Sequence, residues 1–399
     1  MRGRDFTVAL PVGFDYNRLL RSYFTKEQGF MEFTVKRNAL LNELNLVQGV
    51  VEKKSTIPIL SNILLEIADG NLAISATDLD LSICCGCPAE VAEPGTLTIS
   101  ARKLFDIVRL LPDEAEVRFR LLENDWVKLT AGKAEYKVVG LPRENFPTIP
   151  QAPEGGITIP GNDLRGMIQR TMFAITQEES RYSLNGALLA ISSQEMRMVA
   201  TDGHRLALVS KELEINGVTA EIRVLIPRKT LVELLRLLGD QEMLVEFARD
   251  ENNIFFSAGG KRLISRVLAG QFPNYEMVVP RDNDKCIVAP SRSLMESIRR
   301  AAVMSDEKLK AIRLAFRPGI AEITASSADA GEALDVVEVQ YEGPEMSIGF
   351  NPLYLLDFLN ACGAESINIL VKDSETQGML SPAGSPGLDY RYVVMPMKF

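Results

Sequence analysis

Past residue 30 the apolar positions follow two periods in turn. Leu40, Leu41, Leu44 and Val47 recur at helical spacing and predict a helix over 36–48. Alternating stretches follow over Asn62–Ile67 and Asn71–Ser75, joined by the turn Ala68-Asp69-Gly70, and again over Ala187–Ser192. Further helical spacing covers 101–111, 162–173, 227–238, 291–302 and 351–360. Ser100 stands where a side chain would cap one of these helices, and Asn351 followed by Pro352 supplies a cap with proline at the first helical position. The pattern is strand then helix, several strands, strand then helix, more strands.

That pattern is written three times. Phe33-Thr-Val-Lys-Arg-Asn-Ala-Leu40 returns as Ile157-Thr-Ile-Pro-Gly-Asn-Asp-Leu164 and as Ile287-Val-Ala-Pro-Ser-Arg-Ser-Leu294. A second block, Ile99-Ser-Ala-Arg-Lys-Leu104, returns as Ile226-Pro-Arg-Lys-Thr-Leu231 and as Phe350-Asn-Pro-Leu-Tyr-Leu355. Two blocks in the same order and register predict three homologous domains, 31–150, 151–282 and 283–399. Each is expected to be α+β, with two helices on antiparallel sheet. Similar domains have similar joints, so head-to-tail contacts close into a ring or run on as a filament; three domains, or six from two chains, are the natural closures.

Charge changes the picture next. Across 399 residues, 44 Lys and Arg stand against 53 Asp and Glu, a formal charge of −9. The six helical segments nonetheless sum to +7, leaving −16 elsewhere. Lys36, Arg37, Arg102, Lys103, Arg109, Arg165, Arg170, Arg228, Lys229, Arg236, Arg292, Arg299 and Arg300 supply the positive side. Each helix alone reads as a solvated face; jointly they suggest a basic surface on an acidic protein, suited to facing a polyanion without gripping it. A modest number of phosphate contacts gives weak, salt-sensitive binding, Kd on the order of 10⁻⁴ to 10⁻⁶ M.

Candidate chemistry is sparse. His204 is the single histidine, which removes multi-histidine metal cages and most hydrolytic constellations. Thr201-Asp-Gly-His204 reads by itself as a capped tight turn with a packed histidine. Cys84-Cys-Gly-Cys87 resembles a metal knuckle but lacks further ligands nearby, so strand cysteines facing opposite sides are expected. Ala258-Gly-Gly-Lys261 lacks the spacing and helix of a phosphate loop. Five cysteines do not make a disulfide framework, and no apolar run approaches the ~18–20 residues that cross a bilayer. Residues 1–30, with Arg2, Arg4, Arg18, Arg21 and Lys26, read as an extension or an upstream start ahead of Met31; a short accessory helix near Tyr16–Phe24 is the alternative.

Several motifs together carry a family resemblance. They are Thr56-Ile-Pro-Ile-Leu60, Ala76-Thr-Asp-Leu79, Arg181-Tyr-Ser-Leu-Asn-Gly186, Ala200-Thr-Asp-Gly-His-Arg-Leu206, Ile226-Pro-Arg-Lys229, Gln271-Phe-Pro-Asn-Tyr275, Ser305-Asp-Glu-Lys308 and Tyr392-Val-Val-Met-Pro-Met-Lys-Phe399. In this order, across 31–399, the chain resembles the bacterial sliding clamps, β subunits of DNA polymerase III holoenzyme. The resemblance implies a non-catalytic, cytoplasmic processivity factor without cofactor or metal. It implies a head-to-tail homodimer whose six domains ring duplex DNA, twelve helices inside and sheet outside, opened by an ATP-driven clamp loader. It implies a peptide groove between the second and third domains. Carried over, that groove is Leu184, Thr201, Gly203, His204, Arg205, Leu206, Pro273, Val278, Asn351, Tyr354, Val393, Met395, Pro396 and Met397. His204 and Arg205 are expected to fix peptide polar groups. The implied partners are the polymerase III α subunit, translesion polymerases, mismatch repair proteins and ligase. For DNA, Lys54, Arg181 and Tyr182 join the basic helix residues. At the dimer joint, Val303 and Met304 are expected to meet a first-domain edge strand near Tyr136 and Val138. The tail departs from the family in ending Lys398-Phe399, and Glu375 and Gln377 occupy a loop position that is often smaller or more apolar. A scaffold holding DNA by charge without encircling it is the competing reading; an enzyme lacks a catalytic constellation.

Overall fold

The computed structural model describes residues 31–52, 56–178, 180–306, 310–327, 331–384 and 387–398. Among them are six α-helices: α1 (Arg37–Val47), α2 (Ala101–Leu110), α3 (Gly161–Thr171), α4 (Arg228–Leu238), α5 (Ser291–Ala302) and α6 (Pro352–Cys362). All six fall where the periodicity predicts. Ser100 accepts from the Lys103 amide at 3.4 Å, and Asn351 from the Leu353 amide at 3.0 Å with Pro352 at the first turn. On α1, Leu40, Leu44 and Val47 are fully buried, whereas Leu41 is only half-buried.

The strands form four antiparallel sheets. A five-stranded sheet runs in the order Glu90–Glu93, Glu32–Lys36, Glu116–Leu121, Trp126–Ala131, Ala134–Val139. A four-stranded sheet runs Gly331–Glu338, Ile320–Ser327, Ile312–Arg317, Met346–Phe350. The other two sheets have eight strands each, and each is made by two repeats. In one, Lys261–Arg266 of the second repeat pairs with Leu81–Pro88 of the first. In the other, Arg205–Glu212 of the second repeat pairs with Asp389–Val394 of the third.

The second repeat thus lends half its strands to each neighbour, and the contacts divide accordingly. One compact unit holds the chain up to Asn162 together with Val232–Arg266; the other holds Asp163–Leu231 together with the chain from Val267.

In the first unit, Cys84, Cys85 and Cys87 are buried in one strand. Cys84 packs in an apolar cluster with Ala73, Ala248, Phe255 and Ile264, while the sulfur of Cys85 lies 4.0 Å from the Glu43 carbonyl of α1. Successive residues therefore face opposite sides, and both sides are covered. Burial raises the Cys85 thiol well above its usual range and, with the Glu43 carboxylate, pushes Cys87 up to about 12, so both stay protonated at neutral pH. Ala258-Gly-Gly-Lys261 is a two-residue hairpin turn whose glycines adopt φ of 57° and 77°, the left-handed pair that matches strand twist. Lys261 at its end pairs with Glu43 at 3.0 Å.

One basic residue is not surface charge at all. Arg37 is buried; its guanidinium donates to the Val108 carbonyl at 3.0 Å, the Arg109 carbonyl at 2.8 Å and Asp113 at 2.8 Å. Those carbonyls end α2, where a helix has orphan acceptors and favours a cation. Arg37→Met should therefore cost about 2–3 kcal/mol, because burial would leave the α2 carbonyls unpaired. A fall in the denaturation midpoint checks this, and an unchanged midpoint contradicts it.

Candidate peptide groove, basic helices and free sheet edges

The groove residues lie mainly on one sheet. Leu206 and Val393 are direct cross-strand partners, and both are buried. With Leu188, Val199, Leu208, Leu225 and Tyr275 they form one apolar cluster. Half-buried Leu268, Phe272, Val278, Val279 and Met379 pack onto it, so the connection between the second and third repeats lies over the sheet as a strap. Two backbone bonds place the C-terminal tail: the Met395 amide donates to the His204 carbonyl, and the Met397 amide to the Gly349 carbonyl, both at 2.9 Å. Met395 is exposed, Pro396 and Met397 half-buried, and Leu184 half-buried, so apolar side chains rim the buried floor. Pro273 is exposed and Val278 half-buried; Gln377 donates to the Val278 carbonyl at 3.1 Å, holding the strap.

The turn at 201–205 forms as expected. Thr201 Oγ1 donates to the Arg205 carbonyl at 2.6 Å and accepts the Gly203 amide; Asp202 accepts the amides of His204 and Arg205. Gly203 has φ of 90°, the left-handed region that favours glycine. Two expectations change. His204 is exposed rather than packed. Arg205 is not free to meet a ligand: its side chain is only 10% exposed and fully committed. It binds Asp202 at 3.0 Å, Asp357 at 2.6 Å, the Phe173 carbonyl at 2.8 Å and the Tyr392 hydroxyl at 3.5 Å. It also lies 4.4 Å from the Tyr354 ring centre and 5.4 Å from that of Phe173. Burial works against its charge, but the Tyr392 hydroxyl, Asp357 and Asp202 more than offset that, so it stays protonated. Arg205 is a strut beneath the groove, tying the turn to α6. Burial likewise raises Tyr354, which stays neutral. Asn351 spends its side chain capping α6.

The strap was only partly visible from sequence. Gln271-Phe-Pro-Asn-Tyr275 was recognisable as a repeat end, but nothing local marked Tyr275 as buried or as the hydrogen-bond partner of Arg197 at 2.9 Å. Leu188, Val199, Leu208 and Leu225 lie in apolar runs buried on both faces of their strands, so alternation does not single them out.

Of the basic positions, Arg102, Lys103, Arg109, Arg228, Lys229, Arg236, Arg292, Arg299 and Arg300 are exposed, whereas Arg165 and Arg170 are half-buried. Several already have acidic neighbours: Arg102 and Arg109 flank Asp106 at 3.9 and 3.7 Å, Arg236 binds Glu233, Arg292 binds Glu296, and Arg300 binds Asp335. Arg170 donates to the Gly166 carbonyl, and Arg299 to Asn360. Tyr182 is 72% exposed, and Arg181 beside it donates to the Asp202 carbonyl and pairs with Glu178. Lys54 and Phe399 lie outside the described residues, as does the segment 1–30.

Among the described residues, eight strands end the four sheets, and two of them hold the position that joins repeats elsewhere in the chain. One is Ala134–Val139, which carries half-buried Tyr136 and Val138; the other is Gly331–Glu338, with Leu334 66% and Val336 51% exposed. Val303, just past α5, is 75% exposed and Met304 half-buried. The Gly331–Glu338 edge has no counterpart in the sequence reading of the dimer joint.

Comparison with known proteins assigns the architecture. Three domain families of the DNA polymerase III beta subunit match in order: the N-terminal domain over residues 31–150, the central domain over 158–274 and the C-terminal domain over 276–398. The beta sliding clamp of Pseudomonas putida is 39% identical over 371 residues, covering 92% of this chain and all of the relative. A crystal structure of the Pseudomonas aeruginosa sliding clamp bound to griselimycin has 38% identity and a TM-score of 0.88, covering 93% of this chain and all of that one. That of Caulobacter crescentus has 36% identity and a TM-score of 0.85, covering 92% and 100%. No helix among the described residues is long and apolar enough to cross a membrane. With three clamp domains in order and full-length relatives, this chain belongs to the beta sliding clamp family, the non-catalytic beta subunits of DNA polymerase III.

Proposed function

We propose that this sliding clamp works as a head-to-tail pair of chains whose six domains close around duplex DNA, and that it tethers its partners through the groove under the tail. It is a processivity factor, not an enzyme. Two joints of one kind are already made inside the chain, each an antiparallel strand pair between neighbouring repeats. Of the terminal strands, Ala134–Val139 and Gly331–Glu338 hold the two positions used at those joints, so a second copy would pair with both, and two copies would close. That these two joint strands are terminal in their sheets is the observation that carries the reading.

Packing around the joint supports it. Phe173 lies just past α3 and its ring centre is 5.5 Å from that of Tyr392. Val303 holds the matching position past α5, and Tyr136 the position matching Tyr392. Val303 is thereby expected against Tyr136 of a second copy, with Met304 and Val138 alongside. Exposed Arg102, Lys103, Arg109, Arg228, Lys229, Arg236, Arg292, Arg299 and Arg300 suit sequence-independent contact with phosphates, with Arg165, Arg170, Arg181, Tyr182 and Lys54 as further contacts. Arginines already bridged to acids on their own helix make weak, exchangeable contacts, which suits a protein that slides.

The groove fits short peptides of mixed origin: a buried aliphatic floor beneath Met395, Pro396 and Met397, whose flexible side chains adapt to different partners. The polymerase III α subunit, translesion polymerases, mismatch repair proteins and ligase are the expected sources, the clamp loader the expected opener, and the cytoplasm the expected location.

Met397→Asp would put a carboxylate on the apolar rim, and affinity for a labelled polymerase-derived peptide should fall at least tenfold while the sedimentation mass stays unchanged. Unaltered affinity would place the groove elsewhere. The strut separates from the rim by stability. Arg205→Met should cost about 2–4 kcal/mol by leaving Asp202 and Asp357 without their partner, whereas exposed His204→Ala should change stability by no more than about 0.5 kcal/mol. Denaturant titration of both variants checks this, and equal losses would contradict the assignment of Arg205 as the strut.

A further inference from the structure

One polar link joins the groove floor to the strap above it. A row of cross-strand partners in that floor runs Leu225, Leu188, Val199 and Leu208. Two residues along each strand, on the same face, the next row runs Arg223, Ala190, Arg197 and Ser210. Tyr275 of the strap spans the two rows. Its ring is buried in the apolar cluster with the first row, edge-on to Phe272 at 6.4 Å, and its hydroxyl accepts from Arg197 at 2.9 Å. Glu195 aims Arg197, receiving its guanidinium at 2.7 and 3.0 Å, and Glu276, also on the strap, lies 3.9 Å from it. Burial works against the charge of Arg197, but the Tyr275 hydroxyl and Glu195 more than offset that, so it stays protonated.

The first joint shows a strap held without such a link. The row that starts one residue before the repeated block, at Leu225 or at Thr98, reaches Val199 in the second repeat and Ser75 in the first. Two residues earlier stand Arg197 and Ala73. The Phe-Pro pair at 146–147 and at 272–273 likewise matches Ile149 to Tyr275. Ile149 simply packs against the cluster that contains Ala73. Apolar contact is therefore enough to lay a strap on its sheet. A hydrogen bond adds direction, which apolar contact does not supply.

Direction matters here because Tyr275 is the pivot of a groove wall. It opens the turn Tyr275–Met277, and the Val278 amide donates back to its carbonyl at 3.0 Å. Pro273 and Val278, the candidate groove residues on the strap, lie to either side of it in sequence. At the far end of the turn the Gln377 side chain donates to the Val278 carbonyl at 3.1 Å. Gln377 is itself held, since Asn283 donates to its carbonyl at 3.1 Å and to that of Leu370 at 2.9 Å. The turn is thus fastened at both ends.

We propose that Arg197, acting through Tyr275, and Gln377 are positioning residues of the peptide groove, which hold Pro273 and Val278 in place as its wall. This rests on the groove reading and deepens it: peptide affinity depends on two side chains that lie behind the wall and need not touch the peptide.

The test measures affinity and dissociation rate of the full chain for a labelled peptide from the polymerase III α subunit, with Met397→Asp alongside. Tyr275→Phe keeps the buried ring and removes only the hydroxyl, so it should fold as the parent does. It should weaken the peptide about fivefold, mainly through faster dissociation, as expected when one charge-assisted hydrogen bond no longer holds the wall. Arg197→Met should do the same, and the two together should match either alone within about twofold, because they break one link. Adding Gln377→Ala to Tyr275→Phe should weaken binding further by releasing the other end of the turn. The Val278 amide should also exchange faster with deuterium in Tyr275→Phe. Losses that multiply in the Arg197→Met, Tyr275→Phe double variant would contradict a shared link. Parent-like affinity in Tyr275→Phe, while Met397→Asp still weakens binding, would overturn the proposal and leave Arg197 with a role in stability alone. Parent-like affinity in Met397→Asp would instead sink the groove reading itself.

Discussion

Everything in this fold depends on the need to satisfy the backbone of an edge strand. A four-stranded antiparallel sheet ends in two rows of amide and carbonyl groups, and an exposed edge invites pairing with another strand. Each repeat here has two half-sheets, and the second repeat satisfies an edge of each by pairing with its neighbours. Three repeats make two such joints, which leaves one joint strand of the first repeat and one of the third without a neighbour among the described residues. Pairing those two strands between copies would close the assembly.

The groove is a by-product of the same joint. Pairing Arg205–Glu212 with Asp389–Val394 lays Leu206 beside Val393 and carries the tail past the turn at 201–205. Burying Arg205 beneath that turn is tolerable only because two carboxylates, a carbonyl and two ring faces receive it. Rigid support below and adaptable methionines above suit the proposed peptide groove. At the first joint the corresponding floor positions are Ser82 and Ile264, with Cys84 in an apolar cluster that Ile149 and Ala152 pack against. Repetition of the fold therefore need not repeat the site.

Much of this was legible in residues alone. Helical period at Leu40, Leu44 and Val47, capping by Ser100 and Asn351, and the thrice-written blocks fixed the elements and their order. The family motifs pointed to the 201–206 turn and the tail as the candidate groove, and the two lie side by side, the Met395 amide donating to the His204 carbonyl. What stayed hidden was long-range. That Arg37 and Arg205 are struts depends on carbonyls and carboxylates 71 and 152 residues away, respectively, which no local pattern reveals. Counting charges along helices treated Arg37 as surface charge for the same reason. The free edge at Gly331–Glu338 emerged only from sheet order, since its alternation resembles that of any half-buried strand.

The central claim is topological: the protein stays on DNA because it surrounds it. The most direct test loads it onto a nicked circular plasmid with its loader and ATP, raises the salt, and then linearises the circle. An encircling clamp remains bound through the salt wash, where charge is screened, and leaves once ends exist. Loss during the salt wash, with loading verified beforehand, would mean that charge rather than closure holds the protein, and would contradict the account.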